Sequence, residues 1–242
     1  MTKFLFYSKT VALNGRSHAH ARIAPVSNDY SFAAEINSVP LAGKEFVEAG
    51  KVYPIVFSET IDKKVVPVAL LGIRSGQNLY LGRNGDWRAR YIPAFVRRYP
   101  FILASDRQNG SGNLTVCVDA SYSGFDREEG EMLFDERGEY SLFFRNTISF
   151  LQECHHHFLV TEKYTETLVD KGLLIPYSAK FDLVSGKSFT LDRFLIVDEK
   201  KLLQLEGENV LELFRSGHLA WIYFHLASLA NLGSLVDLAV EK

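Results

Sequence analysis

The chain has 242 residues, 47% of them apolar, which is enough for a packed core and excludes disorder as the default state. A formal net charge of −2 gives no global attraction to nucleic acid or to an anionic membrane, so no nucleic-acid partner is expected. Two cysteines, Cys117 and Cys154, are too few for a disulfide framework and stand in no C-x-x-C pair, which points to a reducing compartment and away from a zinc or dithiol site.

In chain order, the N-terminal stretch MTKFLFYSKTVALNGRSHAHARIAP has one early lysine and no uninterrupted apolar run, so no signal peptide is read and a cytoplasmic location is expected. His18 and His20 form an H-x-H pair that a strand would place on one side, but no acidic partner can be assigned to complete an iron-type triad. Residues 41–50 (LAGKEFVEAG) are helix-compatible, with Gly50 in the position expected just after a last turn. From residue 53 to about 119 the chain reads as short β-runs separated by turns: YPIVF, VVPVALLGI, NLYLG, FILAS and LTVCV. Asn84-Gly85 is a two-residue turn signal, and residues 107–112 (RQNGSG) form a loop between two apolar runs. An antiparallel meander is expected here.

Residues 141–171 hold no Gly or Pro, and Phe144, Ile148, Leu151, His155 and Phe158 recur at helical spacing, which predicts one long amphipathic helix ending at Gly172. FDLV, the Ser185-Gly186-Lys187 turn and SFTLDRFLIV read as a second hairpin, followed by a helix from about Glu199 and a long apolar helix from about Leu219 to Val240. Residues 218–236 run 19 residues without Asp, Glu, Lys or Arg, close to the roughly 20 that cross a bilayer. His218, His225, Ser228 and Asn231 interrupt that stretch and no basic anchor closes it, so it is read as a helix buried by protein and not as a membrane span. It is expected to pack on the 141–171 helix, with the surface around Ala227, Ala230, Gly233 and Ser234 open to a second copy or a protein partner. The fold class is α+β: an antiparallel β meander in the N-terminal half packed with long C-terminal helices. Residues 1–242 are read as one domain, with a division near 140 as the alternative.

Charge falls in blocks. Between Arg74 and Arg107 seven arginines face Asp86 and Asp106, net +5, and between Asp119 and Glu139 eight acidic residues face Arg127 and Arg137, net −6. The blocks either pack together or form two solvated faces. The first contains Trp87-Arg-Ala-Arg-Tyr-Ile-Pro-Ala-Phe-Val-Arg-Arg-Tyr-Pro-Phe101, where Pro93 suits the first turn of a short helix and Pro100 disfavours helix at Tyr99. Arg97 and Arg98 diverge by about 100° on such a helix and are not expected to face one partner as a simple pair. They are read chiefly as structural, with at least one guanidinium bound to a carboxylate or carbonyl within the fold.

The run Cys154-His155-His156-His157 cannot converge on one metal ion from successive helical positions; only Glu153 and His157, at i and i+4, share a face. His218 and His225 share a face but lie about 10.5 Å apart along a helix, so hydrogen bonding in a core or interface is the simpler role. No metal or cofactor is expected. Ser185-Gly186-Lys187-Ser188 matches the tail of a P-loop, but Phe181 stands where the first glycine is needed. G-x-S-x-G, G-x-G-x-x-G, H-E-x-x-H and the protein-kinase set do not occur, so catalytic residues stay unknown.

Several strings together carry a resemblance: Asn37-Ser-Val-Pro-Leu41, Glu45-Phe46, Tyr53-Pro-Ile-Val-Phe57, Pro67-Val-Ala-Leu-Leu-Gly72, Leu133-Phe-Asp-Glu136, Val197-Asp-Glu-Lys200, Ser216-Gly-His-Leu219 and, most specific, Tyr91-Ile-Pro-Ala-Phe-Val-Arg-Arg-Tyr-Pro-Phe101. On these the chain resembles the SapC family of bacterial proteins over nearly its full length. The resemblance implies a link to bacterial surface-layer or outer-membrane receptor systems and carries over no catalytic residue.

Two readings follow. The first is a cytoplasmic accessory or interaction protein, contacting itself or a partner through the C-terminal helix. The alternative is an enzyme or small-molecule binder whose pocket is lined by His18, Trp87, Tyr91, Arg97 and Arg98.

Overall fold

The computed structural model of the protein describes residues 5–105, 114–182 and 188–240. Its strands are β1 (Thr10–Ala12), β2 (Arg22–Ile23), β3 (Ser38–Pro40), β4 (Ile55–Glu59), β5 (Val65–Leu70), β6 (Phe101–Ser105), β7 (Leu114–Asp119), β8 (Glu131–Met132), β9 (Leu174–Asp182) and β10 (Ser188–Val197). Its helices are α1 (Phe46–Ala49), α2 (Ala94–Arg97), α3 (Leu142–Asp170), α4 (Glu199–Leu203), α5 (Glu208–Arg215), α6 (His218–Ser228) and α7 (Asn231–Val240). Every strand pair is antiparallel, in sheets ordered β1-β7-β6, β3-β5-β4-β10-β9 and β2-β8. This is an α+β fold.

The expected β-runs form hairpins, but β4–β5 and β6–β7 lie in different sheets, so the meander is divided between two layers. NLYLG does not become a strand. The Asn78 side chain binds the Ala33 carbonyl and the Tyr80 N–H, each at 3.0 Å, and takes the backbone out of an extended ladder. Leu81 keeps a single bridge to Trp87 across the Asn84-Gly85 turn, where Gly85 has φ +80°. The loop at 107–112 and the turn at 185–187 lie outside the described residues. The apolar runs flanking the loop pair as β6 and β7, and the hairpin expected around the turn is present as β9 and β10, with a register shift between Leu191 and Phe194 and Arg193 at φ +66°. The five-stranded sheet has one thin seam: β10 meets β4 through the single register pair Leu195 and Phe57.

α3 runs 29 residues as its periodicity predicts. Ser141 caps it, its Oγ accepting the Phe144 N–H at 3.1 Å, and Gly172 at φ +60° follows its end. Its two halves serve different cores. Phe144 and Leu151 pack with Ile23, Phe101, Val118 and Phe134 against the small sheets. Tyr164 and Leu168 pack with Phe46, Phe57, Ile222 and Leu235 against the five-stranded sheet. Residues 146–158 bridge the two clusters, and the clefts described below open there.

The long C-terminal helix is two helices. The i→i+4 ladder gives way to three-residue bonds at Leu229, Ala230 and Leu232, while the Asn231 side chain donates to the carbonyls of Gly50 at 2.7 Å and Tyr53 at 3.3 Å. Tertiary hydrogen bonds thus end a helix that propensity would continue. α6 lies over β4, β10 and α1, and it meets α3 at Tyr164, whose ring sits 5.2 Å from Trp221 and 5.1 Å from His218. α3 is met there, as expected, and β4, β10 and α1 supply further contacts. Gly50 ends α1 where expected, with φ −65°; a Cβ there would meet the Phe46 oxygen at 2.7 Å and α6 at 3.3 Å, so the preceding turn's carbonyl first and the approach of α6 second favour glycine.

Candidate functional site

The segment at residues 87–98 is fixed from below and from one side. Trp87 is buried and donates its Nε1–H to the Tyr53 hydroxyl at 2.8 Å, and that hydroxyl donates to the Tyr91 carbonyl. From the side, the buried Glu45 carboxylate accepts the Ala42 N–H at 2.9 Å, the Tyr91 hydroxyl at 2.7 Å and the Ala94 N–H at 2.7 Å. Glu45 therefore satisfies the free N–H at the start of α2 from another element, and three bonds hold its charge away from water. This anchorage sets where Arg97 and Arg98 stand.

Arg97 is exposed. Its Nε donates to the Ile92 carbonyl at 3.0 Å, as the structural expectation for one of the two arginines required, and its guanidinium lies 5.3 Å from the Phe150 ring centre. Arg98 turns inward, 3.8 Å from the Phe95 ring centre, and hydrogen-bonds the Tyr7 phenol, which itself donates to the Phe101 carbonyl at 2.7 Å. Its Nε is buried without a hydrogen-bond partner among the described residues. Burial pulls its pKa below the usual guanidinium value, against the opposing effects of Tyr7 and Cys154. No carboxylate offsets that burial among the described residues.

A cleft of about 380 Å³ opens between this segment, the chain at residues 23–30 and α3. Arg97 and Arg98 both border it, with Tyr30, Phe143, Asn146 and Phe150. Arg98 also borders a further cleft of about 200 Å³, lined as well by Phe95 and Cys154, the groups beside its guanidinium. A second cleft of about 300 Å³ adjoins the first across Arg97 and Phe150. Here Tyr91, Arg97 and Glu45 meet a polar cluster in which Lys44 Nζ stands 3.4 Å from Glu153 and 3.3 Å from His157, and His157 Nε2 stands 3.3 Å from Glu153. Cys154 borders the second cleft as a thiol, its pKa pushed up to about 11 by burial first and by the Glu45 charge second. It is no nucleophile at neutral pH.

Of the five residues expected to line a pocket, Tyr91, Arg97 and Arg98 border clefts, Trp87 supports them from the core, and His18 stands apart. His18 closes its own turn, its Nδ1 accepting the Asn14 N–H at 3.3 Å, and it borders neither cleft. Among the described residues no ion pair joins Arg83, Arg88, Arg90, Arg97 or Arg98 to the acidic block at 119–139. Asp119 is already engaged by the N–H groups of Ser8, Lys9 and Ser121. Sequence reasoning missed Lys44, Asn146 and Phe150; Asn146 and Phe150 share one face of α3 with Phe143 and Thr147 at helical spacing, a signal that could have found them, whereas nothing in the spacing brings Lys44 to the same place. Among the described residues no three His, Cys, Asp or Glu side chains gather as a metal set.

Fold and cleft together define an α+β protein with a two-arginine cavity between one helical turn and one long helix. The SapC family model matches residues 13–235, and the chain belongs to the SapC family. Comparison with curated proteins finds no match, and comparison with solved structures finds none either.

Proposed function

We propose that this SapC-family protein is a cytoplasmic accessory protein that works by holding a small ligand in the cleft between residues 91–101 and α3. The observation that carries the reading is an aromatic-walled cavity of a size suited to a small molecule, bordered by Arg97 and Arg98. Two free, buried cysteines support a reducing compartment, and the family resemblance supplies the surface-layer or outer-membrane receptor setting. The test is native mass spectrometry of gently purified protein. A small molecule released on denaturation, and absent from an Arg97→Ala/Phe150→Ala double variant, is expected; bare protein, with no fragment-library hit lost in that variant, defeats the reading.

A second reading is carried by the outer face of α5 and α6, where Phe214 is 69% exposed, Tyr223 44% and Phe224 38%. The stretch His218–Val240 is long and apolar enough to cross a membrane by length and composition, and 33% of its most apolar window is buried. Such a face fits a protein partner or a second copy. A Phe214→Asp/Phe224→Asp variant is expected to reduce self-association or partner capture in size-exclusion chromatography with light scattering. Recovery of wild-type protein only with membranes overturns this.

A further inference from the structure

We infer that the smaller cleft at Arg98 is a second ligand site, one that takes a short aliphatic carboxylate, with the carboxylate on Arg98 and His155 and the chain against apolar walls. Arg98 borders two clefts, and the groups beside its guanidinium decide which one the charge serves. The Phe95 ring centre lies 3.8 Å away and Cys154 acts on the charge; both line the cleft of about 200 Å³ and neither lines the larger one. The Tyr7 phenol takes one of the guanidinium's N–H donors, while the buried Nε has no partner among the described residues. A guanidinium stays charged, and an enclosed charge is strongly unfavourable until a counter-ion joins it. No Asp or Glu lines this cleft among the described residues.

His155 supplies the second polar group. It stands in the apolar stripe of α3 between Leu151 and Phe158, and all three line the cleft. Among the described residues its ring makes no hydrogen bond or ion pair with the protein. An imidazole N–H can therefore donate to one carboxylate oxygen while the guanidinium donates to the other. The remaining walls are Pro40, Phe95, Leu103, Leu151 and Phe158, with Cys154, whose thiol burial keeps protonated. Such walls leave the further oxygens of a phosphate without partners and favour methylene groups. An apolar cavity of about 150 Å³ takes benzene, so this cleft holds roughly six to eight heavy atoms, the span from butyrate to hexanoate.

The experiment is isothermal titration calorimetry in Tris buffer with butyrate, its neutral counterpart butyramide, and inorganic phosphate, on wild type, Arg98→Met, His155→Leu and the Arg97→Ala/Phe150→Ala double variant. Butyrate is expected to bind wild type at least about tenfold tighter than butyramide or phosphate. That preference should vanish in Arg98→Met, weaken in His155→Leu and survive in the double variant, because Arg97 and Phe150 line the larger cleft and not this one. His155 is only partly buried, so its variant carries the test if Arg98→Met does not fold. Butyramide binding as tightly as butyrate, or phosphate binding more tightly, overturns the carboxylate. A preference for butyrate that is kept in Arg98→Met and lost in the double variant overturns this site and moves the ligand to the larger cleft. No butyrate binding at about 10 mM overturns the inference, while the co-purified-ligand measurement judges the larger cleft independently.

Discussion

His225 and Arg98 are both enclosed cationic-type side chains, and they are handled in opposite ways. His225 is fully buried under α6. Its Nδ1–H donates to the Ile55 carbonyl at 2.8 Å and its Nε2 accepts the Val197 N–H at 3.1 Å, which fixes the neutral Nδ1–H tautomer. Ser228 beside it accepts the Ile55 N–H at 2.9 Å and donates to the His225 carbonyl at 2.6 Å. Every ring nitrogen there has a use. Arg98 retains a buried Nε with no partner and no carboxylate among the described residues. A satisfied buried polar group reads as architecture; one left with unused donors beside a cavity reads as a place kept for something else.

The largest effect is expected from His225→Leu, which strands the Ile55 carbonyl and the Val197 N–H. A loss of about 4 kcal/mol is expected, read from urea unfolding at neutral pH. The same residue sharpens the contrast through pH. Burial pulls its pKa down from 6.5 to about 4, against the Ile55 hydrogen bond. Below pH 6.5 the unfolded chain takes up a proton that the folded chain refuses until about pH 4, so its stabilising contribution is present above pH 6.5 and falls away through that window. The loss amounts to about 3 kcal/mol, and it is checked by comparing the pH slope of the urea midpoint in wild type and His225→Leu. A wild-type slope no steeper than the variant's refutes it.

Arg98→Met should behave in the opposite sense. Replacing an enclosed, uncompensated charge by an apolar chain of similar length is expected to raise stability by about 2 kcal/mol in thermal unfolding. A fall of that size would mean that Arg98 belongs with His225 as architecture. The smallest effect is expected at Tyr164, fully buried, whose hydroxyl has no hydrogen-bond partner among the described residues. Tyr164→Phe should gain about 1 kcal/mol. An unchanged or lower unfolding midpoint would show that the hydroxyl is satisfied.

What the sequence disclosed tracks the range of the forces involved. α3 was legible from end to end because its cap at Ser141, its apolar period and Gly172 are all local. The break between α6 and α7 was not, since Leu229 and Ala230 favour helix and the interruption comes with Asn231 reaching carbonyls about 180 residues away in the chain. At the site, Tyr91, Arg97 and Arg98 stood out as a motif. His18 did not join them, because its position is set by a turn closed on Asn14 that composition alone does not place. Glu45 was visible only as part of a family string, and its bonds to Tyr91 and Ala94, 46 and 49 residues away, gave no periodic trace.

The thin seam between β4 and β10 has a consequence for the order in which the chain matures. With one register pair joining them, the imidazole of His225 acts as a substitute rung, touching Ile55 on one strand and Val197 on the other. The two parts of the sheet are thus stitched by a residue that follows both of them in the chain. During synthesis, β3, β4 and β5 can pair early, but they wait for α6 to emerge before they are locked to β9 and β10. A ribosome-stalled chain that stops short of residue 225 should present a protease with an open sheet edge, and a chain extended past it should not.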